Sequence, residues 1–475
     1  MFTFIPLWIA YALLLIGIAK FSRGSDALLP GKVSVMVQAL AYVATYVSAV
    51  ALVGFGGLCY LFGMQMLLIA AGNVWFGTWF VYRYLAWPTR LWQRKLNSRT
   101  PAELLSKAYE THALQVFLGA ISTILLVVYG SAVFKGAAVM LAGVIAIPVN
   151  TALILLAVIV GMSVVWGGLR GVLYTEAAQG LIMTIGIGAL LIALLKAVGG
   201  PVAGMKALAA LPPTPAANNG FMALSGGPAG LNIIFLTLVT SVGIWAQPQL
   251  IQRHFALKSL NETRKTAPLA MLALSVVVGG AYFASALSRL LLGPNITNPD
   301  IVMPMLVGQL LPAFGQQLFA LAIVSASLST ASALLHIASG SLGRDVFGKN
   351  LEGWSWRIVV VLCTFSSGLF ALKSSSIIAL ICTTSWTLLA CAIIVPYLML
   401  IARGPQAGAR AAMFSSVGGF IGSILWYLFA YKSTSMGMTG IAAPGVVGAL
   451  HPILPGCALS LLLFILFANR AKEDK

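Results

Sequence analysis

The sequence predicts an all-α protein that crosses a membrane about thirteen times. Three observations carry that reading. The chain of 475 residues is 60% hydrophobic and only 8% charged, with a mean hydropathy of +0.98, a balance foreign to soluble domains. Its apolar runs recur at the length a bilayer demands, about 20 residues per helix. Its basic residues gather in alternate loops.

On the length rule the spans run over 3–20, 34–62, 64–86, 112–143, 148–169, 172–197, 231–251, 267–292, 313–341, 355–372, 376–401, 411–431 and 450–469. The first run lacks a basic leader and a small-residue cleavage site, so it reads as a retained helix. A single transmembrane domain is expected over 1–475. Alternate loops hold 22 of the 28 Lys and Arg residues, from Lys20, Arg23 and Lys32 through Arg253 to Lys472 and Lys475. The positive-inside rule makes that side cytoplasmic. The N-terminus is then outside and the C-terminus inside, in a bacterial-type inner (plasma) membrane. The net charge of +18 therefore reports topology and implies no nucleic-acid partner. Cys59, Cys363, Cys382, Cys391 and Cys457 all fall in apolar runs without a CxxC pair and read as small membrane-helix residues. Lys135 and Arg289, near outer helix ends, read as snorkelling side chains.

Two spans look interrupted. The 34–62 span has a hydroxyl-rich, β-branched middle from Ala44 and then Gly54, Gly56 and Gly57. The 231–251 span contains Gln247-Pro248, and proline removes a helix hydrogen bond. Five spans separate corresponding helices, so the second copy of the repeat must be inverted. Interrupted helices at matching places in two halves point to a transporter's central site. The first repeat is expected at 34–197, the second at 231–401, with two trailing helices over 411–469.

The 313–341 span carries Ser325, Ser327, Ser329, Thr330 and Ser332 with no carboxylate among them. Buried hydroxyls must be satisfied, by helix packing, back-bonding or a small cation. Ala326, Ser329 and Thr330 lie at i, i+3 and i+4 and share a face. Ser325, Ser327 and Ser332 lie off it or at its edge and read as packing residues. His336 is on the same face about 10 Å further toward the cytoplasm. It reads as a satisfied interior histidine or a protonatable gate.

The chain resembles the sodium:solute symporters over nearly its whole length. GGLRGVLYTEAAQGLIM (Gly167 to Met183) is similar to the family's G-G-x-x-x-V-x-W-T-D-x-x-Q signature. QPQLIQRHFALKS (Gln247 to Ser259) is similar to its Q-P-x-x-x-x-R segment. LSTASALLHIASGSLGRDVF (Leu328 to Phe347) is similar to its M-S-T…S…D-x-Y segment, and RTPAELLSKAY (Arg99 to Tyr109) to T-x-x-E-x-L. The resemblance implies a LeuT-like inverted repeat of five plus five helices. It implies a sodium ion held by the carbonyls of Ala44, Val47 and Ala326 and the hydroxyls of Ser329 and Thr330. Oxygen ligands suit a small hard cation. Glu176 occupies the signature's acidic position, which normally carries Asp. It reads as a relay for sodium leaving toward the cytoplasm or as a partner of Arg170 or another basic loop residue.

Sugar-carrying members use Gln and Glu where this chain has Ala51 and Ala70, which argues against a sugar. Thr240 and Ile244 stand where the proline carriers have aromatic residues, which argues against proline. Ser48, Asn73, Tyr129, Trp245, Gln247, Gln249 and Trp386 remain as solute-lining candidates, a set that suits a small, partly apolar organic solute. The HPILP segment (His451 to Pro455) resembles the end of the pantothenate carriers. The expected function is sodium-coupled import of such a solute by alternating access, with a carboxylate of pantothenate or monocarboxylate type as the leading class. A proton-coupled or uncoupled carrier, and a membrane-embedded sensor, are the alternatives. No catalytic constellation appears, so an enzyme is not expected. The bilayer and the solute are the expected partners, with no obligate protein partner.

Overall fold

The computed structural model describes residues 5–21, 33–166, 169–350, 353–373 and 378–470. Gly167, Gly168, Arg23, Lys32, Lys472 and Lys475 lie outside the described residues. All regular structure among those described is helical.

The leading helix α1 (Ile5–Phe21) precedes α2 (Val35–Tyr46), which Ser34 caps through its hydroxyl. This helix stops at Val47, whose extended backbone (φ −99°, ψ 114°) frees carbonyls of the last turn. No proline causes the stop. Ser48 Oγ instead accepts the Val50 N–H at 3.1 Å and restarts the chain as a wide turn, Val50–Phe55, that runs into α3 (Gly56–Phe62). Gly63 has φ +71°, and a Cβ there would stand 2.3 Å from Phe221 O, so only glycine fits this turn. Helices α4 (Leu67–Val74) and α5 (Ala86–Leu96) then lead to α6 (Pro101–Ala108) at the end where the basic loops gather. Helices α7 (His112–Ile145), α8 (Val149–Trp166) and α9 (Leu169–Ala197) complete the first five-helix set.

After α10 (Pro201–Ala209), α11 (Gly227–Ser241) is interrupted in its turn. A 3-10 turn, Gly243–Ala246, and an extended Gln247 (φ −73°, ψ 117°) separate it from α12 (Pro248–His254). Pro248 starts the new helix, where its missing N–H costs nothing. The next span is α13 (Leu260–Leu274), α14 (Gly280–Leu287) and α15 (Arg289–Leu292). The short α16 (Val302–Leu310) leads to α17 (Ala313–Gly340), α18 (Gly353–Lys373) and α19 (Ile378–Arg403), which close the second set. Helix α20 (Gly408–Phe429), the short α21 (Lys432–Met438) and α22 (Gly445–Ala449), and α23 (Ile453–Arg470) follow.

By length and composition, nine helical stretches among the described residues can cross a membrane, and four shorter apolar helices accompany them. One long stretch, Val50–Leu96, is broken at Gly63 and holds parts of two spans. With that division the thirteen expected spans all have helical counterparts.

Helix α17 is the centre of the bundle, with every residue from Phe319 to Gly340 buried. It packs chiefly on α7 and α9, and α9 packs on α2. Small residues allow the close approach that membrane helices use. A Cβ on Gly186 of α9 would stand 2.7 Å from Ala322 Cβ, and one on Gly180 would stand 2.6 Å from Leu40 O.

Two expectations need correction. Arg253 is not a loop residue but is buried at the end of α12. Arg289 does not snorkel. It is buried, with its guanidinium 4.4 Å from the Phe221 ring centre and 4.9 Å from that of Tyr60. Ring faces satisfy a desolvated guanidinium better than an apolar wall would.

Candidate ion and solute site

The stop in α2 lies against the middle of α17, and the five positions named from the resemblance meet there. Ser329 Oγ donates to Ala44 O and lies equally close to Ala326 O, each at 2.9 Å. Thr330 Oγ1 lies 3.2 Å from Ala44 O and 3.5 Å from Val47 O. Three backbone carbonyls and two hydroxyls thus converge, all buried. The Ala44 and Val47 carbonyls are available because α2 ends there. The hydroxyl protons rotate, so the same oxygens can turn lone pairs toward a cation. The neighbouring serines do other work. Ser325 donates to Tyr11 of α1 at 2.9 Å, and Ser327 back-bonds to Ile323 O at 2.8 Å.

Beside this cluster is a small, partly open cavity of about 10 Å³, room for about one water molecule. Ser48, Asn73 and Trp386 line it, as does Ala51. Tyr129 stands behind Trp386, rings edge to face at 5.5 Å. The Trp386 Nε1–H is buried and faces the Tyr129 hydroxyl. Asn73, oriented to satisfy its surroundings, donates to Thr240 O and Ser241 Oγ, both at 3.1 Å. Gln247 donates to Gly243 O at 3.3 Å and to Trp386 O at 3.4 Å, which ties the α11 break to α19. Gln249 is buried on α12 with its Oε1 unpaired among the described residues.

Trp245 is placed elsewhere. It stacks on Phe80 at 4.5 Å and donates to Phe76 O at 3.0 Å, away from the cavity. The 3-10 turn explains this, since each of its residues rotates further about the axis than in an α-helix. Tyr46, Phe55, Val278 and Tyr282 also line the cavity and were not singled out by sequence. Aromatic and β-branched residues occur on every helix here, so nothing in the sequence marks these ones.

Glu176 is fully buried and pairs with Arg253, through Oε1 and Nη2. The Arg170 side chain lies outside what is described. His336 is also fully buried, edge-on to Trp356 of α18 with ring centres 5.1 Å apart.

The two ends of the bundle close differently. At the basic end, Thr100 Oγ1 donates to Asp345 Oδ1 at 2.6 Å, and Gln115 donates to the same oxygen at 3.0 Å. Glu103 on α6 accepts from Arg344 at 2.8 Å, from the Arg99 N–H at 2.8 Å and pairs with Lys107 at 2.9 Å. Burial alone would raise the Glu103 pKa, but these donors outweigh it and hold the carboxyl below its ordinary value. At the opposite end the seal is backbone against glycine. A Cβ on Gly57 would stand 2.0 Å from Pro299 O.

Comparisons agree with this architecture. The model of the sodium:solute symporter family matches residues 28–419. A sodium/pantothenate symporter of Haemophilus influenzae (strain ATCC 51907 / DSM 11121 / KW20 / Rd) is 29% identical over 318 residues, 66% of this chain and 63% of that protein. One from Escherichia coli (strain K12) is 25% identical over 316 residues, 66% of this chain and 64% of that protein. The matches therefore span less than two thirds of these curated relatives. Among solved structures, a substrate-bound outward-open Na+-coupled sialic acid symporter aligns at a TM-score of 0.77 and 16% identity, over 99% of this chain and 98% of that one. MhsT in complex with L-phenylalanine aligns at 0.55 and 14% identity, over 94% and 100%. At these identities the likeness shows the fold.

Proposed function

We propose that this chain, which belongs to the sodium:solute symporter family, couples the entry of a sodium ion to the import of a small organic solute. The observation that carries this is the meeting of five uncharged oxygens between the end of α2 and the face of α17. A neutral oxygen set suits a hard monovalent cation that must also be released. The cluster borders the cavity through Val47 and Ser48, so binding there fixes the α2 break that also shapes the solute's walls. Opening toward the basic end then requires separating α2 from α17 and undoing the Thr100–Asp345 and Glu103–Arg344 contacts. The membrane potential supplies about 2.3 kcal/mol per charge per 100 mV.

The proposed orientation puts the basic end in the cytoplasm, with residues 34–197 and 231–401 as the two repeats. Glu176, on the basic side of the cluster, acts as a relay for the departing ion. The solute is small and partly apolar, and a carboxylate of pantothenate or monocarboxylate type is the leading class. The sodium/pantothenate symporters among the relatives support it. So do a buried indole N–H and aromatic walls, and alanines where sugar carriers have Gln and Glu.

The test is uptake of labelled pantothenate and short monocarboxylates into proteoliposomes, with sodium or choline outside at fixed pH. Uptake is expected only with sodium, and Ser329→Ala with Thr330→Ala should abolish that dependence. Undiminished sodium dependence in the double variant would refute the site.

A further inference from the structure

The Glu176–Arg253 pair sits in the core, where desolvating two charges is costly. Its position gives a reason for it. Gly180, one turn along α9 from Glu176, lies against α2, and a Cβ there would stand 3.4 Å from Ala44 Cβ. Ala44 supplies a carbonyl to the oxygen cluster. Glu176 is about 6 Å from Gly180 along the helix, toward the basic end, and its carboxylate faces Thr45. Arg253 is fastened to the same helix, because Gln38 donates to its carbonyl at 2.9 Å. The pair therefore lies against α2 between Gln38 and Thr45, on the side from which an ion would leave.

The surroundings are polar. Arg253 Nε and Nη1 and Gln38 Oε1 are buried without hydrogen-bond partners among the described residues, and the Tyr82 hydroxyl lies against the Gln38 side chain. Polar donors and acceptors lie together around a pair of zero net charge. Such a setting suits water better than a second cation or an anion.

We infer that Arg253 tunes ion release by neutralising Glu176. A bare carboxylate this close to five neutral oxygens would deepen the well and hold the ion. A bare guanidinium would repel it. Paired, they leave the ion bound by the oxygens alone, beside polar groups that can share in rehydrating it. Arg253 is thus a positioning residue for charge and touches neither ion nor solute. The inference rests on reading the oxygen cluster as the sodium site.

The experiment is a sodium titration of uptake in proteoliposomes for Arg253→Gln, Glu176→Gln, the double variant and Arg253→Lys. Arg253→Gln should lower the half-saturating sodium concentration about tenfold and slow turnover. Glu176→Gln should raise it about tenfold, the scale of a unit charge uncovered within about 10 Å at an effective dielectric near 20. The double variant should return to within about twofold of the parent, and Arg253→Lys should resemble the parent. Shifts of both single variants in the same direction, or no shift in either, would overturn the inference. If a single variant fails to fold, the double variant and Arg253→Lys decide, since both must keep the parental response. Should Ser329→Ala with Thr330→Ala leave the titration unmoved, it is the site reading that fails, whatever the Arg253 result.

Discussion

The oxygen cluster and the cavity beside it share the same stretch of backbone around Val47 and Ser48, yet they are built on opposite principles. In the cluster every group is an oxygen, three are backbone, and each hydroxyl is tied to a carbonyl within 3.5 Å. In the cavity the groups are ring faces, an amide and an indole N–H from several helices. A monovalent ion offers only radius and charge, so its site must be fixed oxygen geometry. A solute offers shape and a few polar atoms, so its site can vary wall by wall while the ion site stays.

That contrast can be broken by making one region respond to changes in the other. The largest effect within the cavity is expected from Trp386→Ala, which removes a buried aromatic wall worth about 2–3 kcal/mol. The solute KM should rise by roughly 30- to 100-fold, while sodium binding measured without solute stays at the parental value. A loss of sodium binding would mean that the two regions are one. Asn73→Leu comes next. It removes the bonds to Thr240 and Ser241 at the α11 break and should raise KM by about tenfold, near 1.4 kcal/mol, again without moving sodium affinity.

A smaller effect sharpens the contrast at the basic-end seal. Glu103 is held below its ordinary pKa in the folded protein. The stability it contributes is present above the unfolded value and is lost as pH falls through the depressed folded value. The Arg344 partner is partly exposed, so the effect should be about 1 kcal/mol. Glu103→Gln should flatten the fall in melting temperature on acidification below about pH 5, with sodium affinity at neutral pH unchanged. An unaltered acid profile would remove Glu103 from the seal's energetics. The smallest effect is expected from His336→Ala. This histidine packs on Trp356, so the variant should lower stability without changing the pH dependence of uptake. A changed pH profile would make His336 a gate.

Much of the fold was legible because a bilayer imposes length and apolarity on every span. The α11 break was legible through Pro248. The α2 break carries no proline, and its site became readable only through the hydroxyls of α17 and the family motifs. The glycines after it turned out to be packing notches, with Gly57 against Pro299. The cavity was less legible. Trp245 turned away because a 3-10 turn changed its phase, while Tyr46 and Tyr282 resembled any other membrane-helix aromatic. Arg253 was hidden by its position, since a basic residue just past an apolar run reads as loop until its buried partner is seen.

The central claim is that the carbonyls of Ala44, Val47 and Ala326 and the hydroxyls of Ser329 and Thr330 bind sodium. Equilibrium binding of isotopic sodium to purified protein, without solute, tests it most directly. The account predicts saturable binding in the parent and at least about a tenfold loss of affinity in Ser329→Ala with Thr330→Ala, in line with two lost ligands. Parental affinity in that double variant would contradict it.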